Sequence, residues 1–273
     1  MVLNGFSGSF TGFQAIIDMI AVLGAYKSNA YRISFTPTWT IGSRPYIPEY
    51  VDYLLDNWNG YVIVDRNHHT SEDVVDWVQA EASIFEVLSR WGNNPRVIIE
   101  IVNEFVWDIE GTVWDHVEPI IQRIRAEGYT NLLLINKHTY TDDWRPIGAD
   151  YYGKHAYFDN LNDPNAEYNT LHGAKQYMEE AIAAGCVPLV NTEVGASYLE
   201  NQAFTPDNVA ALNDFLAWSQ QRNIGNMIWM NRDLQNLPRY IELGLMLPEG
   251  TPITPTLNPI LIAGIILALA RNK

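Results

Sequence analysis

The chain of 273 residues is poor in cysteine and in positive charge. A single cysteine, Cys186, excludes an intramolecular disulfide and any zinc site built from several cysteines, and we expect it to be buried. The 17 lysines and arginines are outnumbered by 32 aspartates and glutamates, which gives a formal net charge of −15. This charge repels nucleic acid phosphates and anionic membranes, so it favours a neutral partner.

Long apolar runs and targeting signals are also lacking. The apolar run at 259–270 is shorter than the ~17 to 25 residues that span a bilayer, so we expect no membrane span. Because it is apolar on all sides, it predicts a buried closing helix, with one face available to a second copy of the chain. The segment 1–5 lacks the features of a secretory signal, which leaves two hypotheses: an intracellular protein, or an extracellular one whose signal was removed.

Aromatic residues, by contrast, are abundant. The chain has nine tryptophans and 15 tyrosines, more than a core normally needs. Because these rings combine flat apolar faces with a polar edge, we expect some of them to line a cleft. Such a cleft favours a ligand with flat apolar faces, such as a sugar.

Strand-like apolar runs alternate with helical patterns along the whole chain, which predicts repeated βα units and a parallel sheet. The length is usual for one (β/α)8 TIM barrel of the α/β class, and no linker or repeat divides the chain, so we expect a single domain over 1–273. The predicted strands lie near 2–3 and at 31–35, 61–65, 97–102, 131–135, 150–155, 187–190 and 225–229. The predicted helices lie at 13–24, 71–92, 113–128 and 171–184 and from 205 onward.

Two of the predicted strands run into a glutamate. The fourth strand leads to Asn103 and Glu104, and the seventh leads to Glu193. Carboxyl groups at the C-terminal ends of barrel strands face the mouth of the barrel, where a facing pair can cleave a glycosidic bond. Glu100 is a competing carboxylate within the fourth strand, facing either the barrel interior or the helices, and we rank it below Glu104.

Residues at the strand ends resemble glycoside hydrolase family 5, the cellulase-like retaining enzymes of clan A, from about the second strand to the eighth. Two departures from the family pattern stand out. Phe105 replaces the proline that often follows the Asn-Glu pair, and the histidine after the third strand is shifted, which favours His68 over Asn67 or His69. The markers, in chain order, are Arg32, the third-strand histidine, Asn103-Glu104, His155-Ala156-Tyr157, Glu193 and Trp229.

The resemblance implies a role for each of these positions. Glu193 is the nucleophile, and Arg32 is the cation that favours its ionised form. Glu104 is the acid/base, which a nearby Glu193 carboxylate and partial burial keep protonated. Tyr157 donates a hydrogen bond to Glu193, and His155 orients either the acid/base or the tyrosine hydroxyl.

Substrate contacts are implied in the same way. Asn103 binds the sugar 2-hydroxyl, His68 contacts substrate, and Trp229 provides a face for the sugar ring at the cleavage subsite. Further rings in loops are candidates for stacking. They are Trp39, Trp107, Trp144 and Tyr198.

The function implied is a retaining endo-β-1,4-glycosidase acting on cellulose or β-glucan, with mannan as the next candidate substrate. The alternative from another class is a non-catalytic barrel that binds carbohydrate, which needs the aromatic cleft but neither the two carboxyls nor Arg32 and Asn103. No cofactor is expected. A metal site is disfavoured because the adjacent His68 and His69 point to opposite sides of an extended chain.

Overall fold

The protein, described from a computed structural model, is an alternating array of strands and helices. The structure describes residues 1–8, 19–20, 23–24, 27–35, 46–66, 77–103, 113–136, 144–158, 170–195 and 205–229. The strands are β1 Asn4–Gly8, β2 Ala30–Phe35, β3 Tyr61–Arg66, β4 Val97–Val102, β5 Leu132–Asn136, β6 Tyr151–Tyr157, β7 Leu189–Gly195 and β8 Gly225–Trp229. The helices are α1 Tyr46–Asn57, α2 Trp77–Trp91, α3 Val113–Ala126, α4 Leu171–Ala183 and α5 Pro206–Gln221.

The eight strands form a closed barrel in chain order, and all the pairings are parallel. Closure is made by β1, which pairs with β2 on one side and with β8 on the other. The sequence prediction of an α/β (β/α)8 barrel is therefore confirmed. In this fold the C-terminal ends of the strands form the face on which active sites lie.

Apolar side chains from the strands and the helices form a core between the barrel and the surrounding helices. Ile99 and Leu133 on the strands are fully or almost fully buried, as are Leu88 on α2 and Ile124 on α3, and all four belong to one core cluster. Burying a side chain of this size stabilises the folded chain by roughly 1.5 to 3 kcal/mol. This outer core fixes the strands whose ends build the site.

Capping residues set the starts of helices α4 and α5. Thr205 accepts a hydrogen bond from the backbone of Asn208, whose side chain bonds back to Thr205, and Pro206 occupies the first turn. This capping box confirms the helix start predicted there. Thr170 caps α4 in a similar way by accepting a hydrogen bond from the backbone of Gly173.

Three elements differ from the sequence prediction. Helix α1 was not anticipated, and the first strand lies at Asn4–Gly8 rather than near 2–3. Strand β7 begins at Leu189 and continues through Glu193 to Gly195, whereas the prediction ended at Val190 because the next residues are polar. Those polar residues are buried in the strand because their side chains have hydrogen-bond partners on other strands.

Two further predictions fall wholly or mainly outside the described residues. The apolar run 259–270 is one of them. Of the predicted helix 13–24, only residues 19–20 and 23–24 are described, and they are helical.

Cys186 is buried, as expected. None of the helices in the described part of the chain is long and apolar enough to cross a membrane.

Candidate active site at the barrel mouth

Arg32 lies in the middle of β2 and is fully buried. Its guanidinium binds carboxylates from three other strands. Nη1 lies 2.7 Å from Oε1 of Glu193, and Nη2 lies 2.7 Å from Oδ2 of Asp65. Glu100 is bound through both oxygens, at 2.5 Å from Nε and 3.2 Å from Nη2. Because β7 is not a neighbour of β2 in the barrel, a contact between Arg32 and Glu193 requires that both side chains lie in the barrel interior.

The charges in this cluster do not balance if all its groups are ionised, since three carboxylates face one guanidinium. Burial raises the pKa of Glu100 well above its usual range, and the charges of Asp65 and Glu193 add to this shift, although Arg32 opposes it. For Arg32, burial alone would lower the pKa, but the carboxylates outweigh it and raise the pKa further. The surroundings of Glu100 therefore shift its equilibrium toward the protonated form, while those of Arg32 favour its charged form.

Glu193 is held at both carboxylate oxygens. Oε1 accepts from Arg32, and Oε2 accepts a short hydrogen bond from the hydroxyl of Tyr157. Nδ1 of His155 lies 3.3 Å from the same Oε2. The resemblance implies that His155 orients the acid/base or the tyrosine hydroxyl, whereas in the structure it contacts Glu193. A carboxylate fixed at both oxygens at the mouth of a barrel is oriented for attack on a bound ligand or for stabilising a positive charge.

Irregularities in two strands bring extra side chains into the interior. Glu100 and Asn103 are three residues apart, which on a regular strand would place them on opposite faces. The pairing of β4 with β5 shifts register between Glu100 and Val102, and both side chains contact interior partners. A second shift in β7 allows the adjacent Thr192 and Glu193 to do the same. Such bulges re-aim side chains next to active sites.

Amide and hydroxyl groups form a neutral network beside the charged cluster. Nδ2 of Asn136, at the end of β5, donates to Oδ1 of Asn103 at 3.0 Å and to Oγ1 of Thr192 at 2.7 Å. All three side chains are buried. This network joins the residue before Glu104 to the residue before Glu193.

The described residues include only part of the predicted site. Arg32, Asn103, His155, Tyr157 and Glu193 come together as described above. Trp229 ends β8, where it is half-buried and pairs in register with residue 7 of β1. The remaining candidates lie outside the described residues. They are Glu104, His68, Trp39, Trp107 and Tyr198.

The structure corrects the sequence prediction for Trp144. Its ring is only 8% exposed and belongs to the core outside the barrel. The ring contacts Trp114 on α3 and Tyr177 on α4, and its Nε1 donates to the backbone oxygen of Tyr177. Trp144 is therefore a packing residue between helices rather than a ring that lines the cleft.

Sequence reasoning missed three members of the site: Asp65, Asn136 and Thr192. Alternation along the strands contains a signal for all three, since each follows an interior apolar residue by two positions. For Thr192 this signal conflicts with that of its neighbour Glu193, which also faces the interior. Within the described ranges, no group of three or more histidine, cysteine or acidic side chains is placed to hold a metal ion. The carboxylates of Asp65, Glu100 and Glu193 surround a guanidinium instead.

Known proteins share both the sequence pattern and the fold. A sequence model of the cellulase family, glycosyl hydrolase family 5, matches residues 3–235. A family 5 cellulase from an Icelandic hot spring isolate is 19% identical, with a TM-score of 0.62 over 86% of this chain and 77% of its own. An endoglucanase of Thermobifida fusca, solved with cellotetraose, is 18% identical, with a TM-score of 0.59 over 84% of this chain and 79% of its own.

A more distant functional class shares the fold as well. A β-D-glucuronidase of Dictyoglomus thermophilum is 14% identical, with a TM-score of 0.61 over 84% of this chain and 43% of its own. At these identities the solved structures support the barrel fold, while the family match covers most of the sequence. The chain therefore belongs to the cellulase family, glycosyl hydrolase family 5, and is a glycoside hydrolase of clan A.

Proposed function

We propose that this protein is a retaining endo-β-1,4-glycosidase that hydrolyses cellulose and related β-glucans by double displacement. The observation that supports this most strongly is the orientation of Glu193, whose two oxygens are held by Arg32 on one side and by Tyr157 and His155 on the other. A carboxylate held at both oxygens in this way has a fixed orientation, as a nucleophile requires.

In the proposed reaction Glu193 attacks the anomeric carbon while Glu104 protonates the leaving oxygen. The glycosidic bond breaks, and a covalent bond forms between the sugar and Glu193. Glu104, now ionised, then takes a proton from water as the water oxygen attacks the same carbon and releases Glu193. Two inversions at one carbon leave the product with the β configuration of the substrate.

Tyr157 and Arg32 act on the charge of Glu193 as this bond forms and breaks. Both donate hydrogen bonds to the free carboxylate, and both contacts weaken when one oxygen becomes an ester. Asn103 contacts the sugar 2-hydroxyl, an interaction that strengthens as the oxocarbenium-like transition state develops. Trp229 stacks against the ring at the cleavage subsite.

A non-catalytic barrel that binds carbohydrate explains the aromatic residues but not the charged cluster. Burying charges costs several kcal/mol per ion unless hydrogen bonds compensate for the lost hydration. Arg32 and three carboxylates are buried together here, an arrangement that sugar binding by aromatic faces does not require. The enzyme hypothesis explains this arrangement, because the buried cluster fixes the position of a reactive carboxylate.

The test measures release of reducing sugar from carboxymethyl cellulose, β-glucan, mannan and xylan, followed by NMR of the first product formed. We expect the greatest activity on the two glucans and initial product with the β configuration. Higher activity on mannan would make the protein a mannanase of the same mechanism. Initial α product would show inversion, and no release from any substrate would support the binding barrel.

A crystal structure provides an independent check on the stereochemistry. Direct attack leaves no room for a water molecule, so the carboxyl groups of Glu104 and Glu193 should be separated by roughly 5 to 5.5 Å. A separation of about 6.5 to 9.5 Å would indicate inversion.

A further inference from the structure

The side chain of Asn136 connects the two strands that lead to the candidate catalytic glutamates, β4 and β7. It ends β5, which pairs with β4 and β6 but not with β7. Its Nδ2 nevertheless bonds Asn103, directly before Glu104, and Thr192, directly before Glu193. One amide thus links the surroundings of both glutamates.

These contacts determine which end of the Asn103 amide is free. An asparagine side chain has an oxygen that accepts and an NH2 group that donates. Because Oδ1 of Asn103 accepts from Asn136, its NH2 group is left for another partner. That Nδ2 atom is buried and has no hydrogen-bond partner among the described residues. A buried donor without a partner is unfavourable, so its persistence points to a ligand acceptor.

Without a ligand, both orientations of the two amides leave one NH2 group and one oxygen unpaired, but the opposite orientation is less favourable once a ligand contacts residue 103. If both turned over, Oδ1 of Asn136 would accept from Asn103, and the NH2 group of Asn136 would become the buried donor without a ligand. In the observed arrangement the unpaired atom on Asn136 is its Oδ1. Proteins leave buried oxygens under-satisfied more often than they leave buried N–H groups unpaired. The network therefore favours Asn103 with its NH2 group directed to the ligand.

We propose that Asn136 is a positioning residue that fixes the Asn103 amide so that Nδ2 donates to the 2-hydroxyl of the bound sugar. This inference rests on the proposed glycosidase function. It adds a directional requirement, namely that the sugar hydroxyl acts as the acceptor in this contact. Thr192 completes the arrangement by accepting the second proton of the Asn136 amide.

The variant Asn136→Asp tests the direction of the contact. An ionised aspartate can only accept, so it should turn the NH2 group of Asn103 toward residue 136 and present Oδ1 to the sugar. We expect kcat/KM on an aryl β-cellobioside to fall roughly 10- to 100-fold, as when a hydrogen bond in the transition state is lost. On the aryl glycoside with a 2-deoxy sugar at the cleavage subsite, kcat/KM should change by less than about 3-fold, because the contact is absent there.

A matched control separates positioning from general damage to the barrel. Asn191 is another buried amide, whose Nδ2 donates to Oδ1 of Asn226 at 2.8 Å. We expect Asn191→Asp to lower the melting temperature and to leave the ratio of kcat/KM for the two aryl substrates unchanged. A second site variant, Asn136→Leu, removes the anchor without adding charge, and we expect it to reduce the same ratio to a smaller extent. An equal loss on both substrates in Asn136→Asp would overturn the proposal.

NMR of side-chain amides tests the same proposal without requiring turnover. The Asn103 NH2 signals, assigned by their loss in Asn103→Asp, should move strongly downfield in Asn136→Asp because they then bond a carboxylate. Unchanged Asn103 signals would overturn the proposal even if the enzyme is active. If wild-type protein turns over no substrate but the shift appears, the glycosidase function fails while the inferred amide orientation stands.

Discussion

Two layers of the barrel interior differ in composition although they are built from the same strands. The lower layer is apolar and includes Ala30, Ile63, Ile98, Leu134, Val190 and Met227. Two residues further along each strand, the upper layer has Arg32, Asp65, Glu100, Asn136, Thr192 and Trp229. Because side chains alternate with a period of two, each pair points into the barrel at successive heights.

Within the barrel interior, the lower layer therefore contributes mainly to stability, and the upper layer contributes mainly to the chemistry of the site. The lower layer is buried without losing any hydrogen bonds to water, so its contribution to stability is simply favourable. The upper layer buries a guanidinium, three carboxylates and several amides, and must compensate for their lost hydration through mutual contacts. Conservative changes in the lower layer should therefore affect folding, whereas those in the upper layer should affect activity.

The largest effect is expected for Glu193. The change Glu193→Ala removes the proposed nucleophile, and we expect kcat to fall on the order of 10⁴-fold or more on every substrate. Initial rates on carboxymethyl cellulose and an aryl β-cellobioside measure this. Glu179→Ala, at an exposed glutamate of α4 paired with Arg222, is the control and should keep wild-type rates. A Glu193→Ala protein with wild-type activity would remove Glu193 from the mechanism and make Glu100 the next candidate.

A smaller and more selective effect is expected for Glu104→Ala. Activity on polysaccharide should fall about 10²- to 10⁴-fold, since the leaving oxygen then receives no proton. An aryl glycoside with an activated leaving group should still form the glycosyl enzyme, giving a burst followed by slow hydrolysis. Added azide attacks without a general base, so it should increase turnover and yield the β-glycosyl azide. A variant that retains full polysaccharide activity would contradict the acid/base role.

The lower layer is tested by Ile98→Ala, two residues before Glu100 on the same strand. Truncation of a buried isoleucine costs about 2 to 5 kcal/mol, which urea unfolding monitored by circular dichroism measures. The variant Ile98→Val is the graded control, with an expected cost of about 0.5 to 1.5 kcal/mol. While the protein is folded, we expect kcat to remain within about 3-fold of wild type, because no charged group moves. A loss above that in folded protein would show that the two layers are coupled.

Much of the barrel could be predicted from local sequence patterns. Apolar runs such as Val97–Val102 and Gly225–Trp229 were located to the residue, because a strand buried on both faces needs little information beyond its own composition. Strand β7 was misplaced for a nonlocal reason. Asn191, Thr192 and Glu193 look like a loop, yet their partners lie on other strands, so a polar segment continues as a buried strand.

The site was predictable where a side chain terminates an apolar run and less so elsewhere. Glu193 could be singled out in this way and Arg32 by the family resemblance, and the structure brings them into contact. Asp65 and Asn136 required knowledge of which face of each strand points inward. The inward placement of both Glu100 and Asn103 depends on a bulge set by pairing with β5, which no pattern within β4 reveals. Trp144 was misassigned because an aromatic residue in a loop pattern can equally pack between helices.

The effect expected at Glu100 is gradual, because the upper layer should reduce stability in a pH-dependent way. Its pKa is raised in the folded state by burial and by the charges of Asp65 and Glu193, against an unfolded value of about 4.3. The folded chain therefore binds more protons than the unfolded chain between these two pKa values. The stability that the protonated group provides is fully present below the unfolded pKa and is lost as pH rises through the folded pKa.

Glu100→Gln should remove this dependence, because its amide is neutral at every pH. We expect the free energy of unfolding of wild type to decline relative to Glu100→Gln as pH rises from about 4, by at most about 1.4 kcal/mol per pH unit. Urea unfolding of both proteins from pH 4 to pH 8 measures the difference. Glu179→Gln provides the surface comparison, since its side chain is about half exposed and it should run parallel to wild type. Parallel curves for Glu100→Gln and wild type would contradict the prediction, because they would mean that the pKa of Glu100 is the same in the folded and unfolded chain.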